Sequence, residues 1–293
     1  QRVHRITFDA DGRQQTVAGR ILLEDSQGGM LLQSDDGTLW PVEGLSIVNR
    51  TETPAAFRPL DADELGRRLL AELPAGFRVH TTPHYVICYN TSRQYAEWVS
   101  SLFERLYKAF TAYWQRQGFE LHEPEFPLVV VAFADRAAYE AASRDELGNA
   151  APNIVGYYSL KSNRVNMYDL TDAEAIRTAQ NTARKGGATR RGSAREINQM
   201  LSHRAAVPLV ATIVHEATHQ IAFNSGLQTR LADIPLWQCE GMAMFFEAPD
   251  LASSRGWRGI GRVNYPRLET FRRNVASWQP GRLESLLAHN PPF

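Results

Sequence analysis

Apolar residues recur at steps of three and four along residues 92–117, the most regular hydrophobic pattern in the chain. This period places them on one stripe and predicts a long helix whose apolar face is core rather than a cofactor site. Further helices are expected over 61–73 and 136–146. The stripe consists of Tyr95, Trp98, Val99, Leu102, Phe103, Leu106, Tyr107, Phe110, Tyr113 and Trp114.

Shorter apolar runs predict strands. Residues 128–131 form an uninterrupted run of Leu and Val, which is typical of a strand covered on both faces. Residues 85–89 predict a second strand, and residues 155–158 and 165–168 predict a hairpin around 161–163. Strands and helices alternate without the regular repeat of a parallel barrel, so the pattern favours an α+β domain.

The first 50 residues differ from the rest because β-rich runs alternate there with turn dipeptides. This spacing predicts a small all-β module of hairpins, residues 1–52, with a packing or docking role favoured over ligand binding. A proline-containing linker over 51–59 is expected to lead to the second domain, residues 60–293. The turn dipeptides are Asp11-Gly12, Gly28-Gly29 and Asp36-Gly37.

The composition is that of a globular protein, with 293 residues, 43% hydrophobic and 22% charged. Because 32 basic residues balance 32 acidic ones, no overall field attracts nucleic acid or an anionic membrane. No apolar run approaches the about 20 residues that cross a bilayer. We therefore expect neither a nucleic-acid partner nor a transmembrane segment. The basic stretch 177–195 is expected to be a solvated loop.

Two cysteines, Cys88 and Cys239, are too few for a disulfide framework. One bridge between them is compatible with the sequence, and two buried free thiols are slightly favoured. The chain begins with Gln1 rather than Met, which fits removal of an export signal or a shortened chain. We expect an exported protein that is periplasmic, on the cell surface or secreted.

The residues most indicative of chemistry are His215 and His219. They lie in a segment that has residues typical of a helix start and a helix end at its two ends. Pro208 suits a first helical turn, and Gly226 suits a left-handed residue past the last turn. The four-residue spacing places both imidazoles on one helix face, within reach of one zinc ion at about 2.0–2.1 Å. Glu216, about 100° round the helix, can reach a metal-bound water. This H-E-x-x-H arrangement combines two ligands with a general base.

A third ligand is available in Glu240, which follows His219 after enough residues for a loop and an antiparallel return. It lies in an apolar, helix-like run that starts after a turn at 233–235. Two His and one Glu leave a fourth zinc position open for water, as in catalytic sites. The alternatives are a Glu240 that stabilises a helix start and histidines that bond only to their neighbours.

The H-E-x-x-H segment resembles that of the gluzincin metallopeptidases. It is particularly similar to a bacterial family labelled as a domain of unknown function near the peptidase-MA-like proteins, most strongly over residues 150–270. The resemblance implies a thermolysin-like core, in which a mixed sheet supports an active-site helix and a glutamate-ligand helix. It also implies an edge strand within 155–168, along which an extended peptide binds. Further residues of the pattern are Asn224, Gly226 and Pro235-x-Trp237-x-x-Glu240-Gly-x-Ala243.

One position departs from that pattern. In many gluzincins an acidic residue one turn after the glutamate ligand orients the first histidine, and here that position holds Met244. Asp233, Glu247 or a backbone carbonyl must then take over this role. The transition-state donor is also open, with Tyr265 and Arg267 as candidates beside ordinary structural roles for both.

Together these features predict a zinc-dependent hydrolase, most simply a peptidase with a peptide or protein substrate. His215, His219 and Glu240 hold Zn²⁺, Glu216 is the general base and Tyr265 is a further catalytic candidate. The presence of Glu216 beside all three ligands favours an enzyme over a non-catalytic binding or scaffold protein with a zincin fold. A zinc hydrolase acting on a non-peptide amide or ester is the remaining alternative.

Overall fold

The computed structural model describes residues 1–10, 12–172, 193–253 and 256–289. Within these residues the chain forms two five-stranded sheets and eight α-helices, so it is an α+β protein, as predicted. The strands are β1 (Arg2–Ala10), β2 (Arg13–Glu24), β3 (Met30–Ser34), β4 (Leu39–Val42), β5 (Ile47–Ala56), β6 (Arg78–Thr81), β7 (Tyr85–Tyr89), β8 (Leu128–Phe133), β9 (Gly156–Tyr158) and β10 (Arg164–Tyr168). The helices are α1 (Ala62–Glu72), α2 (Arg93–Arg116), α3 (Arg136–Leu147), α4 (Ala194–Leu201), α5 (Val207–Asn224), α6 (Leu236–Phe246), α7 (Tyr265–Asn274) and α8 (Arg282–His289).

The first sheet, which we call the N-terminal module, is antiparallel throughout in the order β4-β3-β2-β1-β5. It has its own small core of Ile6, Phe8, Met30, Leu32 and Val42. The hairpins expected from the turn dipeptides are present. The linker expected over 51–59 is largely wrong, because β5 continues to Ala56 in register with Arg2 of β1. Pro54 is tolerated there since β5 is an edge strand.

The second sheet is mixed, in the order β6-β7-β8-β10-β9. β7, β8 and β10 run parallel, while β6 and β9 are antiparallel strands at the two edges. Every residue of β8 is buried, as its unbroken apolar run predicted. β9 contains three residues and forms one edge of the sheet. This edge faces the helix that carries the two histidines.

Helix α2 is the main support of the second domain. It begins after Ser92, whose side chain accepts a hydrogen bond from the Tyr95 amide, and it ends before Gly118, which has a φ of 88°. Its apolar stripe is buried against the sheet and against α4 and α5. Phe110 lies with its ring centroid 4.9 Å from that of Phe246, so α2 also holds α6 in place.

Other expectations are settled by the described residues. The helices expected over 61–73 and 136–146 are α1 and α3. Cys88 and Cys239 are free thiols, the first buried and the second partly exposed. Residues 177–192 of the loop expected over 177–195 lie outside the described residues. Among the helices that the structure describes, none combines the length and apolar character required to cross a bilayer.

Replacing Phe110 by Ala should destabilise the protein strongly, because this side chain is fully buried between α2 and α6. We expect the free energy of unfolding to fall by about 3–5 kcal/mol, from lost transfer energy and the cavity left behind. Leu45→Ala is the control, since Leu45 is fully exposed, and should change the same quantity by less than about 0.5 kcal/mol. Urea unfolding compares the two, and equal losses would contradict the assignment of the core.

Candidate metal centre

Helix α5, which is largely buried, carries both histidines. Pro208 lies in its first turn, and Gly226, with a φ of 83°, follows its end. His215 and His219 lie one turn apart, with 5% and 7% of their surfaces exposed. The rest of the helix is anchored in the core by fully buried residues, which are Val210, Ile213, Val214, Ala217, Ile221 and Ala222.

Glu240 reaches the histidines from α6, which returns alongside α5. Its Oε2 lies 3.0 Å from His215 Nε2, and its Oε1 lies 3.4 Å from His219 Nε2. The two Nε2 atoms are 3.1 Å apart. The three side chains thus form a compact group with their ligand atoms within 4.8 Å of one another. We call His215, His219 and Glu240 the His–Glu cluster.

The dimensions of the His–Glu cluster fit a tetrahedral zinc ion. For bonds of about 2.0–2.1 Å, adjacent ligand atoms of a tetrahedral site are about 3.3–3.4 Å apart. The two Nε2 atoms are 3.1 Å apart, and each lies close to a different oxygen of Glu240, at 3.0 Å for His215 and 3.4 Å for His219, so these separations are near that value. Two imidazoles and one carboxylate are also a donor set that zinc accepts readily. These residues could therefore hold the ion with only small movements.

Each histidine has a partner for its other ring nitrogen. Glu247 Oε2 lies 3.0 Å from His215 Nδ1, and Cys239 Sγ lies 3.4 Å from His219 Nδ1. The Cys239 thiol donates in turn to Gln228 Oε1, at 3.7 Å, so its sulfur is available to accept from the imidazole N–H. With a proton on each Nδ1, the lone pairs of both Nε2 atoms point into the cluster.

Glu247 is itself held from the far side. Its side chain is fully buried, and its Oε1 accepts hydrogen bonds from Asn264 Nδ2 and Arg267 Nε, both at 2.7 Å. Of the alternatives expected from the sequence, Glu247 is thus the residue that orients His215. Met244, one turn after Glu240, is 41% exposed. Asn264 and Arg267, at the start of α7, therefore support His215 indirectly, because they hold the Glu247 carboxylate in place.

Charges in the cluster are strongly coupled. Hydrogen bonds from His215 and His219 hold the pKa of Glu240 well below its usual range. Burial opposes a charge on His219, but its hydrogen bonds to Cys239 and Glu240 outweigh burial and raise its pKa to about 10. The bonds to Glu240 and Glu247 likewise outweigh burial and raise the pKa of His215. A divalent ion entering the cluster must displace these imidazole protons, which makes its affinity dependent on pH.

Glu216 follows His215 on α5 and points towards strand β9. Its Oε2 accepts a hydrogen bond of 2.9 Å from the backbone N–H of Tyr158. Burial raises the pKa of Glu216, and the two neighbouring histidines only partly oppose this effect. A carboxyl group with a raised pKa beside a candidate metal site has the properties of a general base. Its position next to the edge strand links the cluster to β9.

The two downstream candidates have different surroundings. Arg267 is the ion-pair partner of Glu247, so its guanidinium is occupied with orienting that carboxylate. Tyr265 begins α7, is 69% exposed and lines a cavity of about 440 Å³ with Pro208 and Ala211. Among the described residues that line this cavity, none belongs to the His–Glu cluster. A catalytic role for Tyr265 stays a prediction.

Sequence reasoning missed the contacts that join α5 to the hairpin formed by β9 and β10. The side-chain amides of Asn163 and Asn224 bond reciprocally, at 2.7 and 2.8 Å. Gln220 Nε2 donates to the carbonyls of Asn163 and Val129, at 2.9 Å each. A signal was present, because Gln220 and Asn224 follow Glu216 at four-residue steps and share its helix face. Their partners, however, are distant along the chain.

A family model described as "Protein of unknown function (DUF1570)" matches residues 209–289. The match extends from the first turns of α5 to the end of α8, so it includes the His–Glu cluster, Glu216 and Glu247. The expected similarity to a domain of unknown function is confirmed for this segment, and the description assigns it no activity. No curated protein and no solved structure gives a significant match to the chain.

Replacing Glu247 by Gln should weaken zinc binding. The change keeps the shape of the side chain but removes the charge that orients His215 and balances Arg267. Loss of such a partner typically reduces metal affinity about 10–100-fold, and we expect the dissociation constant to rise by that factor. Competition with a chromophoric chelator measures it.

Asp250→Asn is the matched control for Glu247→Gln. Asp250 is also a buried carboxylate paired with an arginine, Arg258, but its partners lie outside the His–Glu cluster. The zinc dissociation constant of this control should stay within about twofold of the original. Equal weakening by both substitutions would show that Glu247 acts only through general stability.

Proposed function

We propose that this chain is a zinc-dependent hydrolase of the gluzincin type, acting as a peptidase. In this proposal His215, His219 and Glu240 are the zinc ligands and Glu216 is the general base. The observation that carries it is the convergence of two imidazole nitrogens and one carboxylate from two helices, at separations of 3.0–3.4 Å that suit a tetrahedral ion. The mixed sheet that supports α5, with α6 packed against α5, is compatible with a thermolysin-like core.

A zinc ion held by these residues supplies a Lewis acid that polarises a carbonyl group and lowers the pKa of water. The chain supplies the proton transfers. Glu216 Oε2 is anchored by the Tyr158 amide, which leaves Oε1 to take a proton from the attacking water. The same carboxyl then gives the proton to the leaving amine. Glu247 and Cys239 keep the two imidazoles oriented throughout.

A peptide substrate is favoured by the strand beside Glu216. β9 is an edge strand, and its Tyr158 N–H points away from β10, towards Glu216. The Tyr158 N–H is occupied by Glu216, so an extended peptide would add to the sheet along β9 through the other backbone groups of this edge. This would bring a scissile carbonyl close to both the general base and the His–Glu cluster. A compact non-peptide amide would use little of this edge.

Glu216→Gln should abolish hydrolysis while keeping zinc, because the amide cannot accept the proton but the three ligands are unchanged. We expect the rate at which the protein cleaves a mixed peptide library to fall by about 10²–10⁴-fold. His219→Ala is the companion variant and should lose both zinc and activity, since one ligand is gone. Zinc content by elemental analysis and cleavage by mass spectrometry provide the two measurements.

Three outcomes decide between the candidate functions. Full activity of Glu216→Gln would exclude this residue as the base. If the unsubstituted protein binds zinc but cleaves neither peptides nor simple amides and esters, this result would favour a non-catalytic binding protein. Chelator-sensitive cleavage of amides or esters alone would leave the zinc chemistry in place and reject the peptide substrate.

A further inference from the structure

The turn that joins β9 to β10 lies between the active-site helix and the N-terminal module. On the helix side it is held by the Asn163–Asn224 amide pair. Asn163 has a φ of 62°, an uncommon backbone conformation that the surrounding bonds must maintain. On the module side, the backbone N–H of Leu39 in β4 donates to the carbonyl of Lys161, at 2.8 Å.

Arg230 makes the second connection on the module side. It lies in the loop between α5 and α6, and its guanidinium donates to two carbonyl groups at once. One is that of Leu160 in the β9–β10 turn, at 3.2 Å, and the other is that of Gly37 in the β3–β4 turn, at 2.8 Å. A single planar group therefore fastens the module to the hairpin.

Two further residues of the hairpin, Arg164 and Lys161, strengthen the same junction. Arg164, the first residue of β10, pairs with Asp36 at 3.4 Å and with Glu72 of α1 at 3.0 Å. The ammonium group of Lys161 lies 5.0 Å from the ring centroid of Trp40, close enough for a cation–π interaction. The tip of the module thus contacts the hairpin at several neighbouring residues.

β9 needs such outside support because it is short. Its ladder with β10 consists of three residue pairs, and the other side of β9 is an edge. A hairpin of this size has little stability of its own. Tyr158, whose amide bonds to Glu216, is only two residues from Leu160, or about 7 Å of extended chain. Small movements of the turn are therefore passed to β9 and to the proposed peptide-binding edge, while Glu216 itself is carried by α5.

We propose that the N-terminal module is a positioning element of the active site, and that Arg230 is the positioning residue that transmits its effect. The guanidinium fixes the β9–β10 turn against the module, and the turn sets the place of β9 beside Glu216. The module is then part of the substrate-binding architecture rather than an appendage. This proposal rests on the proposed function, in which β9 receives an extended peptide.

Arg230→Met tests the proposal in the zinc-loaded protein of residues 1–293. The substitution keeps a long unbranched side chain and removes both hydrogen bonds. Amide hydrogen exchange in peptides covering 156–168 should become faster by about tenfold. For a fluorogenic peptide that the original chain cleaves, KM should rise about tenfold while kcat stays within about twofold, because the ligands and the base are intact. Zinc content should not change.

Arg20→Met is the matched control. Arg20 also joins the module to the second domain, through a 2.7 Å bond to Glu125, and its guanidinium lies 4.5 Å from the ring centroid of Phe57. It contacts the segment before β8 rather than the β9–β10 turn. Its loss should therefore leave exchange over 156–168 and KM unchanged, even if thermal stability falls.

The comparison has clear outcomes. Faster exchange over 156–168 and a raised KM in Arg230→Met alone support the proposal. Equal effects of the two substitutions would overturn it, since the module would then contribute only general stability. No effect of Arg230→Met would overturn it as well. If the original chain cleaves no peptide, the proposed function fails, and the exchange measurement still decides whether Arg230 holds the hairpin.

Discussion

The candidate site depends on two imidazole nitrogens and one carboxylate being kept 3.0–3.4 Å from one another. Imidazole and carboxylate groups this close are unfavourable unless protons or a cation lie between them, the more so because both histidines are buried. The neighbours of the His–Glu cluster counter this tendency. Glu247 and Cys239 fix the outer nitrogen of each ring, and Asn264 and Arg267 fix Glu247. These hydrogen bonds offset the unfavourable free energy of bringing the three side chains together, so the cluster is already assembled before an ion binds.

Local patterns were sufficient to predict much of this arrangement. The four-residue step from His215 to His219 places both rings on one face of any helix, whatever surrounds it. The period of α2 and the unbroken apolar run of β8 likewise report local geometry, and both elements were predicted almost to their ends. The linker prediction over 51–59 was wrong because strand pairing with β1 is a long-range property. Proline in that segment is compatible with an edge strand, which its local sequence alone does not reveal.

Contacts between distant segments explain what sequence reasoning missed. The thiol of Cys239 meets His219 only because α6 returns beside α5. The bond between the Tyr158 amide and Glu216 joins an edge strand to a helix 58 positions away. Arg230 carries no motif, and its role follows from the meeting of two turns that are far apart in the chain. Residue type indicates which groups can bond, but the fold decides which of them meet.

The contact between Glu247 and His215 follows from helix geometry. At about 100° per residue, a position four residues after Glu240 is displaced about 40° round the helix, and a position seven residues after it only about 20°. Met244 and Glu247 therefore both lie near the ligand face, with Glu247 one turn further along at the end of α6. From that end its carboxylate reaches His215 Nδ1 while its other oxygen faces Asn264 and Arg267. An acid seven residues after Glu240 can thus orient His215, provided that a neighbouring element such as α7 holds it in place.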